Sequence, residues 1–134
     1  MKQASILVVD DHPTNLKLVR DVLMYDGFSV MEAADAEEAQ EIVRSTPPDL
    51  ILMDLALPGM DGLTLTRLLK ADPSTQHIVI VALTAFAMKG DEEKARAAGC
   101  DGYVTKPINT RTLSETVSGF LPQSPKESEP NPAP

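Results

Sequence analysis

Ser5-Ile6-Leu7-Val8-Val9-Asp10-Asp11 carries four consecutive aliphatic side chains straight into a pair of acids. The arrangement repeats along the chain. Asp49-Leu50-Ile51-Leu52-Met53 runs into Asp54, Ile78-Val79-Ile80-Val81-Ala82-Leu83 runs into Thr84, and Gly102-Tyr103-Val104-Thr105 runs into Lys106-Pro107. Short Val/Ile/Leu runs with helical stretches between them read as strands of a parallel sheet, because helices on both faces leave no polar alternation. In such sheets ligands bind in the crevice at the carboxyl ends of the strands. Three carboxylates, a hydroxyl and an ammonium group are therefore predicted to meet at one rim.

The stretches between these runs have helical periodicity. Pro13 suits a helix start, and Leu16, Val19 and Leu23 recur at helical spacing up to a stop at Gly27. Phe28 to Ala33 is a second strand. Asp35 and Glu38 form a capping box for a helix carrying Ala39, Ile42 and Val43, which ends before Pro47-Pro48. Leu65, Leu68 and Leu69 mark a third helix, Lys89 to Ala98 a fourth closed by Gly99, and Leu113, Val117, Phe120 and Leu121 a fifth. Five strand–helix units in strict alternation predict an α/β doubly wound, flavodoxin-like fold with five parallel strands in the order 2-1-3-4-5. Its switch point lies between the first and third strands, the two that end in Asp10-Asp11 and Asp54.

The bulk numbers narrow the function. At 134 residues the chain has room for one domain, residues 1–121, followed by a Pro-rich tail or linker, 122–134, with Pro122, Pro125, Pro130, Pro132 and Pro134 and no apolar periodicity. Formal charge is −8. Residues 1–121 hold 18 acids against 11 Lys and Arg, about −7 by subtraction, which argues against a basic nucleic-acid surface. Cys100 is the single cysteine, so no internal disulfide forms, and it reads as a small buried hydrophobe. With no signal peptide and no long apolar run, the expected location is the cytoplasm, away from membranes.

Charge repulsion decides what the acid rim needs. Two unit charges about 4 Å apart repel by roughly 4 kcal/mol at an effective dielectric near 20, so three carboxylates must share protons or hold a cation. Oxygen-only donors beside a phosphate site favour Mg²⁺, with Mn²⁺ an acceptable substitute. Asp10 and Asp11 are placed as a metal clamp, the Ala56 carbonyl as a further ligand, and Asp54, a lone acid ending the central strand, as the nucleophile toward phosphorus. Lys106 and the Thr84 hydroxyl would hold phosphoryl oxygens. The chain has neither G-x-x-x-x-G-K-[ST] nor G-x-G-x-x-G, so the phosphoryl donor is another protein or a small phosphodonor and not a nucleotide bound here.

These residues resemble the receiver domain of two-component response regulators over residues 5 to about 121. The motifs are Val8-Val9-Asp10-Asp11, Met53-Asp54-Leu55-Ala56-Leu57-Pro58-Gly59-Met60-Asp61-Gly62, Ala82-Leu83-Thr84-Ala85 and Tyr103-Val104-Thr105-Lys106-Pro107. The resemblance implies that Asp54 accepts phosphate from a phosphohistidine and that Mg²⁺ sits on Asp10, Asp11 and Asp54. It also implies that Thr84 and Lys106 sense the phosphoryl group and that Tyr103 turns inward on activation, altering the surface of the fourth helix, fifth strand and fifth helix. A cis bond precedes Pro107 in this family. Thr84-Ala85-Phe86-Ala87-Met88-Lys89-Gly90-Asp91-Glu92 is similar to phosphorelay receivers, including hybrid kinases and stand-alone regulators of the DivK type. Implied partners are a histidine kinase or histidine phosphotransfer protein and a downstream protein target. The implied chain is a monomer or weak dimer with no output domain, catalysing only its own phosphorylation and dephosphorylation.

Some residues admit plainer readings. His12 follows the acid pair but has no second soft donor, which favours a solvated loop histidine, and His77 reads as a surface residue. Leu18 and Val22 widen the apolar face of the first helix, with burial the default; Asn15, Leu18 and Ile108 could instead form a docking patch for a helical bundle. A rival function is a Mg²⁺-dependent aspartyl-phosphate hydrolase, but that chemistry usually needs D-x-D and a cap segment. A flavin-binding module would need a Ser/Thr/Gly-rich phosphate loop after the first strand.

Overall fold

The apolar runs become five strands, and their register fixes everything placed on them. The computed structural model describes residues 4–55, 62–84, 89–105 and 109–121. Strands β1 (Ser5–Val9), β2 (Ser29–Ala33), β3 (Leu50–Asp54), β4 (Val79–Thr84) and β5 (Gly102–Thr105) alternate with helices α1 (Pro13–Tyr25), α2 (Ala36–Ser45), α3 (Gly62–Ala71), α4 (Lys89–Ala98) and α5 (Leu113–Phe120). All pairings are parallel and the order is β2-β1-β3-β4-β5, the flavodoxin-like arrangement predicted from the sequence. Strand limits differ from the sequence reading by a residue; β3 takes in Asp54 and β4 takes in Thr84.

Alternation along each strand splits the core in two. Leu7, Val9, Ile51, Met53, Ile80 and Ala82 point to the side covered by α2, α3 and α4, while Ile6, Val8, Leu50, Leu52, Val81 and Leu83 point to the side covered by α1 and α5. Nearly all of these side chains are wholly withdrawn from water. Each large aliphatic side chain so buried contributes about 1.5–3 kcal/mol relative to exposure, so the sheet is the rigid platform of the molecule.

Helix ends follow the residues that make them. Pro13 opens α1, and Gly27, at φ 96°, closes the turn after it. The Glu38 N–H donates to Asp35 Oδ1 at 2.9 Å, while Glu38 Oε1 accepts from the Ala34 N–H at 2.6 Å, so the capping box forms with its return bond one residue early. Gly99, at φ 109°, closes α4. Within α1, Val22 packs partly against the core, but Leu18 is 41% exposed, so the default of a buried Leu18 is incorrect. Leu68, on α3, is likewise exposed while Leu65 and Leu69 are buried, because the helix meets the sheet along the narrower stripe.

A polar clamp braces the opposite end of the sheet. Lys70 Nζ donates to the carbonyls of Gln76 at 3.2 Å and Ile78 at 2.7 Å and to Asp101 Oδ2 at 3.0 Å. Asp101 Oδ2 also accepts from the Ile80 N–H at 2.8 Å. One ammonium group thereby joins the end of α3, the entry to β4 and the entry to β5. Cys100 is buried beside it, and desolvation pushes its thiol above the usual range.

Gly62 is the tightest point between fold and site. A Cβ there would lie 2.5 Å from the Asp54 carbonyl oxygen and 3.0 Å from Met53 Cγ, so only glycine lets α3 start against the end of β3. Gly62→Ala should cost about 1–3 kcal/mol through forced separation of these backbones. The check is the urea midpoint; an unchanged midpoint would show that α3 can shift away freely.

Candidate functional site

Register delivers the acids to one place. Val9 pairs with Met53 across β1 and β3, so the next residues, Asp10 just past β1 and Asp54 at the end of β3, stand side by side. Asp54 in turn pairs with Leu83, one residue before Thr84, and Thr84 pairs with Thr105. Among the described residues the buried polar or charged side chains are Asp10, Asp54, Thr66 and Thr84. Thr66 has a local reason, since its hydroxyl donates to the Gly62 carbonyl at 2.7 Å within α3. The other three stand on adjacent strands at the carboxyl rim, which is where the switch point of this topology lies.

Asp10 and Asp54 are only 1% and 2% exposed. Asp11 and His12 sit outside them in more solvent, and the four residues offer ligand atoms that all lie within 4.8 Å of one another. Taking carboxylates out of water costs several kcal/mol each unless the charge is compensated. The donors that Asp10, Asp11 and Asp54 supply are hard oxygens, the chemistry Mg²⁺ selects, and a buried pair with a more open third acid leaves room for retained waters. The residues present therefore fit a hard divalent cation.

His12 combines the predicted exposure with a closeness to the acids that the sequence did not foretell. It is 67% exposed, as expected of a loop histidine, yet its Nδ1 lies 3.2 Å from Asp11 Oδ1 and 3.4 Å from Asp10 Oδ1. Its backbone N–H donates to Asp10 Oδ1 at 2.9 Å, an i to i+2 turn that folds the residue back over the acids just before α1 begins. An Asp two residues ahead of an N-cap position was the signal available for this turn. His77 is exposed, as predicted.

Thr84 and Tyr103 share a sheet face. Ala82 pairs with Tyr103, and Thr84 lies two residues beyond Ala82, so Thr84 and Tyr103 are diagonal neighbours on the α3 and α4 side. Tyr103 packs partly buried against the core cluster on that side. Asn15 is half-buried and Leu18 exposed on α1, the helix that follows the acid pair. Ala56, Lys106, Pro107 and Ile108 lie outside the described residues, as does the tail from 122 onward.

Comparison with known proteins agrees with this geometry. Residues 6–118 match the response regulator receiver domain. The chain belongs to the response regulator receiver family. It is 43% identical over 117 residues to the polar-differentiation response regulators DivK of Brucella anthropi and Brucella ovis, covering 87% of this chain and 95% of each relative. Among solved structures, a response regulator from Chloroflexus aurantiacus superimposes with a TM-score of 0.86 at 32% identity, covering 90% of this chain and 98% of that one. The chemotaxis protein CheY4 of Vibrio cholerae gives 0.85 at 28% identity, covering 90% of this chain and all of that one. The receiver domain is thus a two-component signalling module. No described helix is long and apolar enough to cross a membrane.

The packed acids make a prediction without any metal. Unit charges within 4.8 Å repel by roughly 3–4 kcal/mol at an effective dielectric near 20. Asp54→Asn removes one of them, so in chelator-treated neutral buffer the variant should be more stable than the parent by about 1 kcal/mol or more. Urea denaturation reads the difference, and a variant of equal or lower stability contradicts the assignment of net repulsion.

Proposed function

We propose that this receiver works as a phosphoryl-accepting switch in which Asp54 is the acceptor and a phosphohistidine on a histidine kinase or phosphotransfer protein is the donor. The observation that carries the reading is the convergence of buried Asp10 and Asp54 with Asp11 at the switch point of the sheet. An Asp54 carboxylate oxygen attacks phosphorus, the P–N bond breaks, and the imidazole of the donor leaves with the bonding pair and regains a proton. Such transfers depend chiefly on positioning and charge neutralisation. Mg²⁺ held by Asp10, Asp11, Asp54 and the Ala56 carbonyl would supply that neutralisation.

This chain's residues do the rest. Asp10 and Asp11 orient Asp54 by lying beside it, and burial keeps competing water from its carboxylate. The Thr84 hydroxyl takes one phosphoryl oxygen, and Lys106, assigned on sequence alone, takes another. A phosphoryl group adds roughly −2 charge and new acceptor oxygens at the rim. Movement of Thr84 toward them frees the face it shares with Tyr103, and the surface of α4, β5 and α5 changes for a downstream protein.

Donor docking is assigned to the α1 side. Leu18 and Tyr25, seven residues apart on α1, are 41% and 91% exposed, and Val22 lies half-buried between them. With half-buried Asn15, and with Ile108 added on sequence alone, they would offer a helical bundle a partly apolar strip along the helix that follows the acid pair.

Two variants separate chemistry from docking. Asp54→Asn should abolish Mg²⁺-dependent labelling both by acetyl phosphate and by a phosphorylated kinase. Leu18→Arg should slow transfer from the kinase at least about tenfold and leave acetyl phosphate labelling within about twofold. Equal labelling of parent and Asp54→Asn overturns the acceptor assignment, and kinase transfer unaffected by Leu18→Arg overturns the docking assignment.

A further inference from the structure

An imidazole at the lip of an all-oxygen acid pocket changes which metals the pocket prefers. His12 Nδ1 is 3.2 Å from Asp11 Oδ1 and 3.4 Å from Asp10 Oδ1, and it belongs to the same set of donors as Asp54. Two donors bound to one ion at about 2.1 Å each can be no more than about 4.2 Å apart. The His12 to Asp10 and Asp11 separations already fall inside that limit, and the set as a whole exceeds it by about half an ångström. His12 is 67% exposed, which leaves its side chain space to adjust toward a shared ion.

The backbone makes His12 more than a passing neighbour. Its N–H is bonded to Asp10 Oδ1, and Pro13 follows as the first residue of α1. The ring is thus attached to a segment fixed at both ends, beside the acid it would assist. Mg²⁺ gains little from nitrogen donors, whereas imidazole suits Ni²⁺, Zn²⁺ and their neighbours, which also stand higher in the affinity order for divalent ions.

Resting on the proposed acid-pocket site, we propose that His12 is an additional ligand, with Asp10, Asp11 and Asp54, for a borderline transition-metal ion, so that the receiver takes Ni²⁺ or Zn²⁺ in preference to Mg²⁺. The imidazole nitrogen donates its lone pair to the ion while the carboxylates supply oxygen, and no covalent or redox step follows. The consequence is competition: a transition ion would occupy the pocket that phosphoryl transfer needs, and its hold would depend on a side chain that Mg²⁺ does not use.

The test is calorimetric titration of the full chain in mildly alkaline buffer with Ni²⁺ and separately with Mg²⁺, repeated on H12A and H77Q. His77, the only other histidine, is the control for adventitious binding. Expected is a ratio of Ni²⁺ to Mg²⁺ affinity that falls at least about tenfold in H12A and stays at the parental value in H77Q. Nitrogen coupling in the electron-spin-echo spectrum of bound Mn²⁺ should likewise be present in the parent and absent from H12A. A ratio unchanged in H12A, or one that falls in H77Q instead, overturns the ligand assignment while Mg²⁺ binding leaves the pocket reading intact. A parent chain that binds no Mg²⁺ at all overturns both.

Discussion

Two adjacent strands in register, each carrying a carboxylate at its carboxyl end, are the constraint on which the molecule is organised. Val9 and Met53 are register partners, so the folding of β1 against β3 cannot avoid placing Asp10 beside Asp54. The apolar stretches that bring them there are wholly buried, and a slip of one residue would send every side chain of a strand to the wrong face. Hydrophobic burial over both sheet faces therefore holds two like charges together against their repulsion. A site assembled this way is built into the sheet and rich in buried acids, which suits it to the cation and phosphoryl chemistry proposed for it.

The cost is confined to one rim. At the other end of the sheet Lys70 gathers two carbonyls and Asp101, giving β4 and β5 a satisfied polar anchor. Buried acids crowd the carboxyl ends while a lysine anchors the amino ends, so the rim is the part of the sheet suited to a cationic ligand. Gly62 belongs to the same economy of space: with a side chain there, α3 could not close on the Asp54 carbonyl, and the acid's backbone would lose its packing.

Much of this was legible in the sequence because it follows from periodicity. Unbroken Val/Ile/Leu runs gave the strands, their final residues gave the rim, and Pro13, Asp35, Gly27 and Gly99 punctuated the helices where the structure has them. What escaped depends on contacts between distant segments. The Lys70 clamp is one such case, since its partners come from residues six, eight and 31 positions away. Leu18 and Leu68 were apolar at helical spacing, and only the width of the helix–sheet contact leaves them outside. His12 is the exposed loop histidine the sequence suggested, but its closeness to the acids depends on the Asp10 side chain bonded to its N–H, a turn that was not read beforehand.

Under the proposed function, the charge of the chain bears on how a donor would reach Asp54. With a formal charge of −8, the receiver repels acidic partners at long range, so steering alone would not bring a phosphorylated protein to the rim. Short-range apolar contact is the available alternative, and α1 supplies it where Leu18 and Tyr25 stand exposed. The ion pair between Lys17 and Asp21, at 3.0 Å, and that between Arg20 and Glu32, at 3.2 Å, offset local charge around this strip. Because exposed pairs of this kind contribute at most about 1 kcal/mol to stability, their larger effect is to keep the apolar strip from being ringed by unbalanced charge. A helical partner approaching along α1 would then meet a partly hydrophobic surface, and this helix, which begins directly after Asp10, Asp11 and His12, would set the orientation of the proposed phosphohistidine.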